Sequence, residues 1–229
     1  MKKIFTLIAA AAMALSANAQ KYYFAEGDVT SAAGLDGKTF GNGFVKTVDK
    51  VSKMQIDANS AYFGDATTQT KFTHRLKSGA KSQTADTKLC QVELNVTEAG
   101  TLKVYARTGS NSATDRNLVI TQNENKLYDK VVVEADAIKV KGLDTSDPEK
   151  ETNVYPIISV QVSAGTVILT FPTGSMNFYG FETSNTTGIE TLKAAKAAFK
   201  GATYNVAGQQ VDAAYKGLVI KDGKKVVNK

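Results

Sequence analysis

The chain has 229 residues, 42% of them apolar and 22% charged, with three prolines. That composition excludes a disordered chain or a collagen-like fibre and allows one or two domains with a sizeable core. A single His (His74), a single Cys (Cys90) and no Trp leave almost nothing for a His-based triad, a disulfide framework or a zinc site.

Residues 1–19 open with Met1-Lys2-Lys3, continue through an apolar run from Ile4 to Leu15 and end at Ala17-Asn18-Ala19. This is the pattern of a secretory signal peptide, with cleavage expected before Gln20. The run is shorter than the roughly 20 residues that span a bilayer, and no later segment is apolar for longer, so no transmembrane segment is expected. The expected location is therefore outside the cytoplasm: periplasm, cell surface or medium.

From Gln20 to Asn185 short runs of period-two alternation recur between Gly, Asn, Asp and Ser turns. They are Phe44–Lys50, Val51–Asp57, Thr70–Lys77, Lys88–Val96, Thr101–Thr108, Asn117–Gln122, Leu127–Val133, Ile157–Ser163, Thr166–Phe171 and Asn177–Thr183. Ten such strands predict an all-β antiparallel sandwich over residues 20–185. Glu98-Ala99-Gly100 and Ser163-Ala164-Gly165 read as hairpin turns, each with Gly where a positive φ is needed. Cys90 shares the inward register of Val92, Leu94 and Val96, which makes it a buried, inert thiol. The polar stretch Leu143–Thr152 contains Pro148 and reads as a surface loop. Asp144, Asp147 and Glu149 there offer oxygens for a calcium ion, although their spacing lacks the alternating-Asp pattern of a calcium loop, and solvated acids are the plainer reading. No cofactor is expected.

Beyond Asn185 the texture changes. Residues 186–202 are rich in Ala and Lys and read as a linker or a short helix, and 203–229 as a small β-hairpin module with turns at Ala207-Gly208 and Asp222-Gly223. After Ile189 there are eight lysines against Glu190, Asp212 and Asp222, so the formal charge of +6 resides largely in the tail. Arg75, Arg107 and Arg116 all precede it. A nucleic-acid surface interleaves Arg with aromatics, so these lysines read instead as protection of exposed hairpin edges.

The candidate binding residues come from the body. Tyr105 and Arg107 fall on the face opposite Leu102, Val104 and Ala106. The loop after them, with Ser110 and Asn111, is made of short hydrogen-bonding side chains and ends at Arg116. Arg75 completes a cluster of arginines within 42 consecutive residues. Such a face suits carboxylate or hydroxyl groups of a sugar, and Tyr179, near the end of the body, offers a ring face. The alternatives are that the arginines brace the sandwich through Asp and Glu, and that the terminal aromatics close the core. No G-x-S-x-G, H-E-x-x-H, P-loop or dinucleotide pattern is present, and no enzyme activity is expected.

Two resemblances bear on this reading. The tail from Gly188, with Tyr204-Asn205-Val206-Ala207-Gly208-Gln209-Gln210-Val211 and Lys216-Gly217-Leu218-Val219-Ile220-Lys221-Asp222-Gly223-Lys224-Lys225-Val226, resembles the C-terminal sorting module of secreted proteins from gut-type Gram-negative anaerobes. Gln209-Gln210 departs from the basic residue often found there. The body resembles the jelly-roll-like accessory modules of secreted polysaccharide lyases and esterases, through Phe72–Gly79, Gly100–Arg116, and Ala164-Gly165-Thr166 to Phe178-Tyr179-Gly180. The resemblance implies a carbohydrate-binding jelly roll with polysaccharide or glycan as partner, and outer-membrane or cell-surface components as partners of the tail. The competing class is a structural or adhesive surface protein that makes protein contacts.

Overall fold

The computed structural model describes residues 19–31, 34–82, 88–185, 203–205, 210–212, 215–221 and 224–228. The expected leader up to residue 18, the 186–202 stretch and the tail turns at Ala207-Gly208 and Asp222-Gly223 lie outside the described residues. The chain divides into two units between Asn185 and Thr186.

The first unit contains β1 (Lys21–Tyr23), β2 (Thr39–Phe40), β3 (Val45–Asp49), β4 (Gln55–Gly64), β5 (Gln69–Lys77), β6 (Cys90–Val96) and β7 (Gly100–Thr108). It continues with β8 (Asn117–Gln122), β9 (Asn125–Val131), β10 (Ile138–Val140), β11 (Thr152–Tyr155), β12 (Ile158–Val162), β13 (Gly165–Thr170) and β14 (Met176–Asn185). One sheet runs β10-β11-β4-β5-β14-β7-β12, with β1 also on β14, and the other runs β2-β3-β6-β13-β8-β9. Alternation sends Val92, Leu94 and Val96 of β6, Leu102, Val104 and Ala106 of β7, and Val167 and Leu169 of β13 into one core between the sheets. Each such side chain, fully buried, contributes about 1.5–3 kcal/mol. The protein is an all-β sandwich, curled in jelly-roll fashion.

Three details differ from the expectation. The Glu98-Ala99-Gly100 and Ser163-Ala164-Gly165 turns are not hairpins. β6 pairs with β3 and β13 in one sheet, while β7 pairs with β14 and β12 in the other. With Gly100 opposite Val162 and Gly165 opposite Val96, the two turns are corners at which paired strands pass together from sheet to sheet. Gly165 takes a positive φ of 123°, and Gly100 does not. Next, Val51–Met54 is a turn rather than strand. The buried Asp49 carboxylate accepts the amides of Lys53 and Met54 at 2.9 Å each, and Ser52 sits at φ 53°, so the strand starts only at Gln55. Finally, the sheets are not wholly antiparallel: β11 runs parallel to β4, with Val154 opposite Tyr62 and Tyr155 opposite Phe63.

The second unit holds β15 (Thr203–Asn205), β16 (Gln210–Val211), β17 (Gly217–Lys221) and β18 (Lys224–Asn228) in the order β16-β15-β17-β18, all antiparallel. Val219 is buried, whereas Val226 and Val227 are exposed. Among the described residues no helix is long and apolar enough to cross a membrane.

Cys90 lies in the core with Sγ 3.6 Å from Asp49 Oδ1. Burial, reinforced by the neighbouring carboxylate, pushes its thiol up to about 12, far from the thiolate range. In the native protein at pH 8, a thiol reagent such as DTNB is expected to leave Cys90 unmodified, with stoichiometric reaction appearing only after denaturation. Fast labelling under native conditions would contradict this burial.

Candidate functional site

The outer face of the β7–β14 pair carries a second, aromatic core. Tyr105 points to that face, opposite Leu102, Val104 and Ala106, but only 3% of it is exposed, so the expected open sugar platform is corrected to a buried ring. Two irregularities bury it. On β14, Tyr179 is an extra residue between Phe178, opposite Ala106, and Gly180, opposite Tyr105. The bulge turns Tyr179 outward while Phe178 and Phe181 stay in the main core. On β4 the register slips between Ala58 and Ala61, and β5 holds β14 only through Leu76 and Lys77. The distal β4–β5 ribbon is thereby released from β14 and packs Phe63 and Phe72 on Tyr105 and Tyr179. Ring centroids are 4.8 Å apart for Phe72–Tyr105 and 5.2 Å for Phe63–Tyr179. Tyr23 and Tyr155 flank them at 4.8 Å from Phe72 and 5.6 Å from Phe63. Each such contact adds about 0.5–1.5 kcal/mol beyond its buried area.

The hydroxyl edge of this cluster holds a polar network. Tyr23 and Tyr105 both donate to Glu182 Oε2, at 2.8 and 3.1 Å. Burial alone would raise the Glu182 pKa, but these donors and Lys103 bring it below the usual carboxylate range. On the other side stands Arg107, its side chain only 12% exposed. Its Nε donates to Tyr179 Oη at 3.0 Å, and its Nη1 to Asn111 Oδ1 at 3.2 Å and to Tyr155 Oη and Glu134 Oε2 at 3.3 Å each. Tyr179 in turn donates to Asn59 Oδ1 at 2.5 Å. Glu134 lies in a single 3₁₀ turn, Glu134–Asp136, that precedes β10. Its Oε1 accepts Tyr155 Oη at 2.6 Å and Asn153 Nδ2 at 2.8 Å. Burial, with the Glu134 hydrogen bond, pushes the Tyr155 phenol up to about 12. For Arg107 burial works against the charge, but Tyr179, Tyr155 and Glu134 outweigh it and raise the guanidinium pKa.

Arg107 and Tyr155 line an open cleft of about 710 Å³, bounded by β4, β5, β10, β11 and the loop between the last two. That volume falls in the range of small-molecule and saccharide sites. Tyr62 forms one wall, its hydroxyl tying the loop down through Leu143 O at 3.0 Å, with the Lys71 ammonium 5.7 Å from its ring centre. Lys139 and Lys150 add cations to the lining, and Asp144 and Glu151 add carboxylates. Asp144 takes Lys150 at 2.8 Å and Ser146 N and Oγ at 3.0 and 2.6 Å. The Lys150 hydrogen bond, then Ser146, lower its pKa well below the usual range. Beside it, Asp147 accepts the Glu149 amide and Glu149 pairs with Lys141 at 3.0 Å. Asp144, Asp147 and Glu149 are thus engaged by lysines and loop amides, and among the described residues no group of three or more His, Cys, Asp or Glu is placed to hold a metal ion. A second depression of about 420 Å³, floored by Asn111–Thr114 and Val133–Asp136, adjoins the first through the Arg107–Glu134 pair.

Of the residues the sequence singled out, Arg107, Asn111 and Tyr179 come together here, and Ser110 sits beside them with its Oγ 3.4 Å from Ser112 Oγ; Tyr179, wholly buried, is corrected from a ring face for a ligand to a packed ring whose hydroxyl accepts Arg107. Tyr105 shares the cluster but turns its hydroxyl to Glu182. The three arginines do not share one set of partners. Arg75 forms a two-pronged pair with Asp57 at 2.7 and 3.2 Å. Arg116 lies over Gly174, donates to Thr173 O at 3.1 Å and approaches Asp115 at 3.9 Å. Sequence reasoning missed Asn59, Tyr62, Lys71, Glu134, Lys139, Asn153 and Tyr155. The signal present was Asn153-Val154-Tyr155, an alternating polar–apolar fragment hidden between a polar loop and Pro156.

No family model matches the sequence, and no curated protein does. Among solved structures the chain is similar to one from the Ruminococcus flavefaciens cellulosome, from work on glycan recognition. There the TM-score is 0.35 at 12% identity, over 74% of this chain and 96% of that one. It is also similar to the K2 cleaved adhesin domain of Lys-gingipain, a Porphyromonas gingivalis protein, at TM-score 0.42 and 12% identity over 73% and 98% of the two chains. A third likeness is to the catalytic unit of an α-1,3-glucanase from Streptomyces thermodiastaticus, at TM-score 0.35 and 17% identity over 76% of this chain and 30% of that one. With TM-scores below 0.5, these likenesses carry no argument about what this chain does.

Two outcomes test the site's construction. A Cβ at Gly180 would lie 2.4 Å from the Tyr23 ring and 2.9 Å from the Tyr22 carbonyl, so Gly180→Ala is expected to lower stability by about 1–3 kcal/mol in urea unfolding. Glu134→Ala strips Arg107, Tyr155 and Asn153 of their shared acceptor and is expected to cost about 3 kcal/mol, with Glu134→Gln milder; equal stability of both variants to the parent would contradict the network.

Proposed function

We propose that this chain is an exported, non-catalytic binding module that takes a glycan in the cleft over β4, β5 and the β10–β11 loop. The observation that carries the reading is the cleft itself, an open polar trough of about 710 Å³ with a guanidinium fixed at its floor and tyrosines at its walls. Sugars offer hydroxyls to planar donors and C–H faces to aromatic rings, and this lining supplies both. Three of the groups able to act as acid or base are engaged: Tyr155 donates its hydroxyl hydrogen bond to Glu134, both Glu134 oxygens accept hydrogen bonds, and Asp144 is tied to Lys150. A protein-adhesive reading would draw on the groove of about 640 Å³ between edge strands β9 and β12. Lys126, Asp129 and Lys130 line it, and charge along an edge opposes strand addition.

The test is a polysaccharide array followed by titration calorimetry on the full chain, with the Tyr62→Ala variant in parallel. Micromolar to millimolar binding to at least one polysaccharide is expected, weakened about tenfold by Tyr62→Ala, without release of reducing or unsaturated ends. Absence of binding across the array, or turnover, would overturn the proposal.

A further inference from the structure

The cations of the cleft are not equivalent. Lys150 is neutralised by Asp144 at 2.8 Å, and Arg107 by Glu134 at 3.3 Å. Glu134 already accepts three hydrogen bonds, two at Oε1 and that of Arg107 at Oε2. Lys71 and Lys139 also line the cleft, and neither has a carboxylate partner among the described residues; Lys71 only stands over the Tyr62 ring. Of the Arg107 nitrogens, Nε and Nη1 are bonded, while Nη2 has no protein partner among the described residues. Glu151 is the one carboxylate of the lining without a lysine partner among the described residues, and with Lys71 and Lys139 both unpaired the trough keeps an excess of positive charge. Unpaired lysines give up no existing ion pair on meeting an anion, and a guanidinium already held in place loses almost no side-chain entropy.

Resting on the glycan reading above, we propose that the cleft selects an anionic sugar, a carboxylate or sulfate ester, read by Lys71, Lys139 and the free Nη2 edge of Arg107. Glu134 and Tyr179 are positioning residues: they aim the guanidinium and do not touch the ligand.

The experiment compares polygalacturonate with its methyl-esterified form, and dextran sulfate with dextran, by affinity electrophoresis and calorimetry at 50 and 500 mM salt. The parent is expected to prefer the charged member of at least one pair by roughly tenfold at low salt, and to lose that preference at high salt. Lys71→Gln/Lys139→Gln, both exposed positions, is expected to abolish the preference by lowering affinity for the charged member to that for the uncharged one. The galacturonate pair reports a carboxylate reader, the dextran pair a sulfate reader. Equal binding of charged and uncharged members, or a preference that survives the double substitution, overturns this inference and leaves the glycan reading standing. Failure to bind any of the four overturns both.

Discussion

A guanidinium set among tyrosine rings must find its acceptors on the spot, because a buried donor left unmade costs more than a made bond returns. Arg107 meets that demand from four directions, with acceptors on β11, β14, the 111 loop and the Glu134 turn. Each acceptor exists for its own local reason. The bulge at Tyr179 turns one phenol outward, and the parallel docking of β11 on β4 brings another alongside. The 3₁₀ turn supplies the carboxylate that balances the charge.

The same sheet thus serves two cores. Its inner face obeys the ordinary two-residue rhythm and holds the sandwich together, while its outer face is aromatic where a solvated surface would be polar. That outer cluster lifts the β4–β5 ribbon away from β14, and the ribbon with the β10–β11 loop makes the walls of a trough. The trough's floor has rings packed beneath it, and its rim carries charge on lysine stems. A packed floor with a charged rim is suited to holding an extended polar chain without chemistry, which is the role proposed for it.

How far the sequence reveals this depends on whether a signal is local. β6, β7, β8 and β13 are legible because Val, Leu and Ile alternate through them and one buried face fixes the register. The corners at Gly100 and Gly165 were misread because a short Gly-bearing link looks the same whether its strands pair with each other or with third parties. Arg107 and Tyr179 stand out as unusual residue types in regular strands. Glu134, Asn153 and Tyr155 do not, since their roles arise from a parallel pairing across some 90 residues that no window of alternation records. Arg75 and Arg116 look like companions of Arg107 in sequence, yet each answers to its own neighbours.

The parallel joint between β11 and β4 is short: two residue pairs, bolstered by the Tyr62 hydroxyl reaching Leu143. A joint this small closes a loop of some 90 residues, and beyond its backbone bonds it is held by Tyr155, seated on Phe63 and bonded to Arg107 and Glu134. The trough's wall is thereby fastened from its floor: loosening the Tyr155 contacts would free the β10–β11 flap while leaving the sandwich beneath intact.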